Sequence, residues 1–233
     1  MNSIIALIPA RSGSKRIPNK NIKRLGKHPL LAYTIEQARQ SGIFDEVLVN
    51  SDSYDYEQIA RHYGVRTWIR HPDYAKDDSP DIEWIRDMSP VLDNFDYFAI
   101  LRPTNPFRAP AMLQTAWEKY DKGDWLKAVQ PVSEHPCKMW IMTEKTMMNM
   151  SIDGRESHAL PTQVLPEAVV QNGSLEIRPT HDLEPRWKQL FYTPEIMGYD
   201  LNTEKDWIYA EWLIEHGRVN LIEIDKEPYE NTH

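Results

Sequence analysis

The sequence has a single cysteine, Cys137, among 233 residues. That excludes a disulfide framework, and no Cys/His spacing matches a zinc site. A reducing compartment, the cytoplasm, is expected. No apolar run approaches the roughly 18 residues of a membrane span, so no membrane partner is expected. The first apolar stretch starts at Ile4 with no basic leader, and no signal peptide is expected. Positive charge is also in deficit. The chain has 27 Lys and Arg against 35 Asp and Glu, a net charge of −8. This argues against a nucleic-acid partner, because backbone affinity comes from Lys and Arg. Repeats, heptads and low-complexity tracts are missing too.

One absence is local. Residues 1–35 contain no Asp or Glu, yet carry Arg11, Lys15, Arg16, Lys20, Lys23, Arg24 and Lys27. The rest of the chain holds 20 of the 27 basic residues against all 35 acids. A confined positive field in an acidic protein points to an anionic ligand. The alternative is a solvated basic face that pairs with acids elsewhere.

What is present is strand–helix alternation. Residues 4–8 read as a buried parallel strand ended by Pro9. A helix follows from Leu30 and stops at Gly42. Residues 47–49 and 65–69 read as strands around a helix with Tyr56, Ile59 and Tyr63. Ser79 reads as an N-cap and Pro80 as the first residue of a helix. A strand over 97–101, a helix over 111–122 and a strand over 126–132 come next. Residues 136–193, rich in Met, Trp and Pro, do not parse as βα units. Strands are expected again over 196–201 and 219–224. Between them, Thr203 and Asp206 suggest a capping box opening a helix to about His216. This pattern predicts an α/β protein with a mostly parallel sheet, helices on both faces, and ligands beyond the carboxyl ends of its strands.

The loop after the first strand carries the chemistry. It reads Ile8-Pro9-Ala10-Arg11-Ser12-Gly13-Ser14-Lys15-Arg16-Ile17-Pro18-Asn19-Lys20-Asn21. Gly13 permits close backbone approach, and a turn of backbone N–H groups can form an anion nest. Arg11, Lys15, Arg16 and Lys20 would neutralise a polyphosphate. The loop lacks the second glycine and the Lys-Ser/Thr pair of a P-loop, and it is not G-x-G-x-x-G. A nucleoside triphosphate held in some other way is the expectation.

This loop closely resembles the signature of the acylneuraminate cytidylyltransferases, the CMP-sialic acid synthetase family. Further stations resemble that family in order along the chain. They are Lys27-His-Pro-Leu-Leu-Ala-Tyr-Thr-Ile35, Asn50-Ser51-Asp52-Ser53, Asp77-Asp78-Ser79, Leu101-Arg-Pro-Thr-Asn-Pro-Phe-Arg108, Gln171-Asn172-Gly173 and Asp200-Leu-Asn-Thr-Glu-Lys-Asp206. The resemblance implies a Rossmann-like three-layer nucleotidyltransferase with one domain over residues 1–233. A dimerisation and sugar-site insertion would span about 135–194, and a homodimer is implied. The implied reaction moves CMP from CTP to a 2-keto sugar acid and releases pyrophosphate.

The resemblance also implies site residues. Ala10, Arg11, Ser14, Lys15, Lys20, Asn21, Ser79, Arg102 and Thr104 would bind the nucleotide, with Lys20 and Arg11 catalytic. Lys138, Gln163, Asn172, Phe191 and Tyr192 would bind the sugar, the two aromatics reaching toward the partner. Asp200 and Asn202 would hold Mg²⁺, where the family has two aspartates; Asn202 supplies no charge, so Asp52 could assist. Other departures are Val170 in place of Arg, Ser174-Leu-Glu-Ile177 in place of Ala-Ile-Tyr-Ile, and Arg102 in place of Gln. A guanidinium can grip a carboxylate or phosphate bidentately, or it can pair with a neighbouring acid and reshape the pocket. A nonulosonate other than N-acetylneuraminate, or an octulosonate, remains open as the acid. A relative that binds without catalysing also remains open. Cys137 reads as a packing residue.

Overall fold

In a computed structural model the chain is described over residues 2–144, 146–151, 156–183 and 187–230. Seven strands form the central sheet. In chain order they are β1 Ile4–Pro9, β2 Glu46–Ser51, β3 Arg66–Ile69, β4 Tyr97–Ile100, β5 Trp125–Pro131, β6 Val169–Pro179 and β7 Trp187–Tyr192. Across the sheet they lie as β7-β5-β6-β4-β1-β2-β3. Strand β6 is antiparallel to β4 and β5, and the other neighbouring pairs are parallel.

The side-chain alternation of β1 explains the layers. Ile4, Ala6 and Ile8 pack with Leu31, Ile35, Ile59 and Leu113. Those partners lie on α1 Leu30–Ser41, α2 Tyr54–His62 and α5 Pro110–Lys119. Ile5 and Leu7 face the opposite way, onto Trp84, Ile85 and Leu92. These belong to α3 Asp81–Asp87 and α4 Ser89–Leu92. A strand apolar on both faces needs helices on both faces, and the predicted three-layer α/β arrangement is what forms. A third cluster joins Ile17, Leu25 and Leu30 to Trp207, Ala210 and Leu213 of α6 Glu204–Glu215. Gly42 ends α1 in the left-handed region, at φ 65°. Thr203 and Asp206 form the expected capping box. Among the described residues no helix is long and apolar enough to cross a membrane.

Four local expectations are corrected. Pro80, extended at ψ 150°, is the N-cap of α3, so the helix begins at Asp81. Ser79 instead donates its hydroxyl to the Asp73 carbonyl at 2.9 Å. Helix α5 stops at Lys119. Residues 196–201 do not form a strand: Pro194 leads into a single 3₁₀ turn, Glu195–Gly198. Residues 219–224 do not pair either. Val219, Leu221, Ile222 and Ile224 meet their apolar need by packing beside α6. The segment that resisted parsing supplies β6 and β7, together with an exposed hairpin of Trp140–Met142 and Met147–Asn149. Residues 145, 152–155 and 184–186 of that segment lie outside the described residues.

Candidate active site

Strand β1 lies between β2 and β4, and the chain leaves it toward one side before returning to the other. Loops diverge at such a switch point and leave a crevice at the carboxyl edge. A cleft of about 480 Å³ opens there. The loop after β1 lines it with Arg11, Ser14, Lys15, Arg16, Lys20 and Asn21. Arg70 enters from the end of β3, and Arg102 and Thr104 from the end of β4. Ser79 and Asp81 come from the start of α3, and Asp200 and Asn202 from the turn before α6. Of the expected nucleotide residues only Ala10 stands behind the wall, fully buried, its N–H bonded to the Asn50 carbonyl at 2.9 Å.

Local interactions fix the loop. Ile17 is fully buried against the α6 cluster. Asn19 turns the chain at φ 53°, a conformation that Asn tolerates better than most residues. Ser12 donates its N–H and its hydroxyl to Asp52, each at 2.8 Å. Asp52 is thus the loop's tether. Asn21 donates its side-chain amide to the Arg11 carbonyl at 3.2 Å. A Cβ at Gly13 would meet no protein atom within 4 Å, so the chain's own packing does not require that glycine.

The cations differ in their surroundings. Lys20 is 8% exposed and donates to the Leu201 carbonyl at 2.7 Å. Burial pushes its pKa down, and Asp200 only partly opposes this. Arg11 and Lys15 are bridged by Asp77, at 2.5 Å on each side. The hydrogen bonds from Lys15 and Arg11 hold the Asp77 carboxyl below the usual range. Buried Arg70 bonds Asn50 and lies over the Trp84 ring at 5.2 Å; burial lowers its pKa to about 10. Arg102 pairs with Asp81, whose other oxygen accepts from the Trp84 indole N–H at 3.0 Å. Burial alone would raise the Asp81 carboxyl; Arg102 and the Trp84 bond more than reverse this.

Asp200, expected at the end of a strand over 196–201, lies with Asn202 in the turn before α6 instead. Asn202 donates its amide to Asp200 Oδ2 at 2.7 Å, while its carbonyl oxygen accepts from Arg16 at 3.0 Å. Asp200 Oδ1 is buried with no hydrogen-bond partner among the described residues, a feature that suits a cation. No group of three acids, His or Cys among the described residues could hold a metal without other ligands.

A second cleft of about 190 Å³ adjoins the first and shares Arg102 and Asp200 with it. Lys127, Asn172 and Glu176 also line it. Glu176 is 5% exposed and accepts from Lys127 at 2.8 Å and from Arg178. The Arg178 guanidinium lies 3.8 Å from the Trp125 ring centre. Asn172 is largely engaged in holding the bulge of β6. Its oxygen accepts from the Ser174 N–H at 3.2 Å, and its amide donates to Gln130 at 3.2 Å and Thr193 at 2.9 Å. The other expected sugar residues line neither cleft. Lys138 donates to the His158 carbonyl at 2.7 Å, Gln163 is exposed, Phe191 packs on the chain's own core and Tyr192 is exposed.

Sequence reasoning missed Arg70, Asp81, Lys127 and Arg178. Arg70 was findable, because it is the first residue past a strand at the carboxyl edge. The β6 residues were not, since nothing local marked that strand. Arg108 is almost wholly buried and donates to Ser174 O at 2.5 Å, Gln37 at 2.8 Å and Arg102 O at 2.9 Å. It clamps the backbones of β6 and the β4 loop together.

These features define a class: an α/β protein with a cation-lined, nucleotide-sized cleft at its switch point. The family model described as Cytidylyltransferase matches residues 5–139, and the chain belongs to that family. It is 47% identical over 105 residues to an N-acylneuraminate cytidylyltransferase of Escherichia coli, covering 45% of this chain and 25% of that protein. It is 30% identical over 237 residues to a CMP-N,N'-diacetyllegionaminic acid synthase of Legionella pneumophila, covering 94% of this chain and 99% of that one. The chain thus matches about a quarter of the first relative and nearly all of the second. In fold it resembles a CMP:2-keto-3-deoxy-manno-octonic acid synthetase solved with CTP, at TM-score 0.67 and 15% identity over 92% of this chain and 99% of that one.

Proposed function

We propose that the chain transfers CMP from CTP to a 2-keto sugar acid of the nonulosonate class. The observation that carries this reading is one cleft holding the basic loop's cations opposite an Asp200 oxygen that has no hydrogen-bond partner among the described residues. The acid's anomeric hydroxyl oxygen forms a new bond to the α-phosphorus. The bond between the α-phosphorus and the bridging oxygen breaks, pyrophosphate leaves, and the hydroxyl proton passes to water. Arg11, Lys15 and Lys20 neutralise the phosphates, and Lys20, deepest of these, faces the α-phosphate. Ser14, Asn21, Ser79 and Thr104 position the nucleotide. Phosphoryl-type transfer is mostly positioning and charge stabilisation, which this arrangement supplies.

Asp200 would hold a Mg²⁺ ion together with phosphate oxygens, the usual mix for that ion. When bound, the ion adds charge neutralisation on the triphosphate. The protein is read as a homodimer joined through the exposed hairpin. Its lone buried Cys137 fits a reducing, cytoplasmic setting.

The test gives purified protein CTP, Mg²⁺ and a panel of acids: N-acetylneuraminate, N,N'-diacetyllegionaminate and 2-keto-3-deoxy-octonate. Pyrophosphate release with a CMP-sugar mass is expected for at least one nonulosonate. CTP binding without product across the panel would favour the non-catalytic reading that Asn202 suggests.

A further inference from the structure

Arg102 is shared by both clefts, as is Asp200. Three elements hold it there. Asp81, the first residue of α3, pairs with its guanidinium. Arg108 bonds its carbonyl at 2.9 Å. Its stem passes over Gly173, where a Cβ would come within 3.0 Å of Arg102 Cδ and 2.7 Å of Asn105 Oδ1. A side chain at residue 173 would clash with Asn105 Oδ1 and crowd the Arg102 stem, so glycine leaves the arginine room at the junction.

The charge around Arg102 differs from that around the loop cations. Asp81, Glu176 and Asp200 all act on it. Such surroundings repel a multiply charged triphosphate more than a single carboxylate, which a guanidinium fork can grip. Asp81 takes Nη2, and no other guanidinium hydrogen bond from Arg102 is made among the described residues. In a 2-keto sugar acid the carboxylate sits on the anomeric carbon, beside the attacking hydroxyl. With the acceptor in the second cleft, that carbon lies where the two clefts meet, at Arg102.

We infer that Arg102 receives the carboxylate of the acceptor acid, and that Asp81 is the positioning residue that aims it. This rests on the cytidylyltransferase reading above, and it moves Arg102 from the nucleotide to the acceptor. Gln at this position would offer one amide and no charge. The charged fork makes the carboxylate itself the feature this chain selects.

The test compares each panel acid that is turned over with its methyl ester, in wild type, Arg102→Gln, Asp81→Asn and Asp81→Glu. In Arg102→Gln the KM for the acid should rise on the order of 10–100-fold, with CTP affinity by calorimetry held within about twofold. Preference for acid over ester should collapse in the same variant. Asp81→Asn should raise the acid's KM more than it lowers kcat, and Asp81→Glu should recover part of the loss. A rise in the CTP dissociation constant with an unchanged acid-to-ester ratio would overturn the inference while leaving CMP transfer intact. No turnover of any acid removes the parent reading, and this one with it.

Discussion

Lys20 combines two properties that oppose each other. It must be a cation to stabilise charge at the α-phosphate, yet it is buried beside the Leu201 carbonyl, and burial favours the neutral amine. Its pKa is accordingly lowered. The sign follows directly. Raising the pH removes the proton that the reaction needs, so kcat/KM for CTP should fall with pH, and at a lower pH than an ordinary lysine would set. That ratio reports groups of the free enzyme. In Lys20→Arg the charge persists, and the alkaline fall should shift upward even if the maximum is lower. Lys20→Ala should lose about 10²–10³ in kcat, the usual scale for one group that stabilises transition-state charge. A pH–rate profile of the three proteins checks this; identical alkaline limbs in wild type and Lys20→Arg would remove Lys20 from the role. Asp77 acts at the same scale in the opposite sense. Its carboxylate already lies between Arg11 and Lys15, so a triphosphate must compete with it for those cations.

At the scale of elements, the turn before α6 ties the site to a helix end. Asp206 Oδ2 accepts from the N–H groups of Asn202 at 3.0 Å and Thr203 at 2.7 Å, while Thr203 Oγ1 accepts from the Asp206 N–H at 3.3 Å. The cap therefore also fixes the backbone beside Asp200. Asp206→Ala should cost about 0.5–2 kcal/mol by urea denaturation, the range for losing a helix N-cap, of which Asp206 is the reciprocal partner. It should also raise the Mg²⁺ concentration for half-maximal turnover; an unchanged metal titration would separate the cap from the site. This cap was legible because its partners are three residues apart. The basic loop was legible for the same reason, since its cations and its strand are contiguous. Strands β6 and β7 were not, because β6 runs antiparallel between β4 and β5 and bulges between Gln171 and Glu176. Its pairing partners lie far away in sequence, and no alternation survives the bulge. Residues 196–201 and 219–224 misled in the opposite direction. A short apolar run looks alike whether it enters a sheet or packs without pairing.

For the whole molecule, the question is what covers its apolar surface. Among the described residues, Ile141, Met142, Met147 and Met148 are 54%, 73%, 59% and 54% exposed on one small hairpin. Leu190 and Tyr192, on the edge strand β7, are 48% and 52% exposed. Exposed apolar and Met-rich surface of this kind is typical of an interface and is unfavourable in water. A second copy of the chain is the proposed cover. The chain should sediment as a dimer at micromolar concentration. Ile141→Lys with Met148→Lys should shift it toward monomer, because the two residues face each other across the hairpin and would bury like, unpaired charges if the interface forms. The monomer should keep its CTP affinity, since the cleft at the switch point is built from one chain. If the partner completes the acceptor site, the acid's KM should rise in that double variant while CTP binding holds. Sedimentation velocity and paired titrations read both effects, and a wild-type monomer with full turnover would refute the assembly.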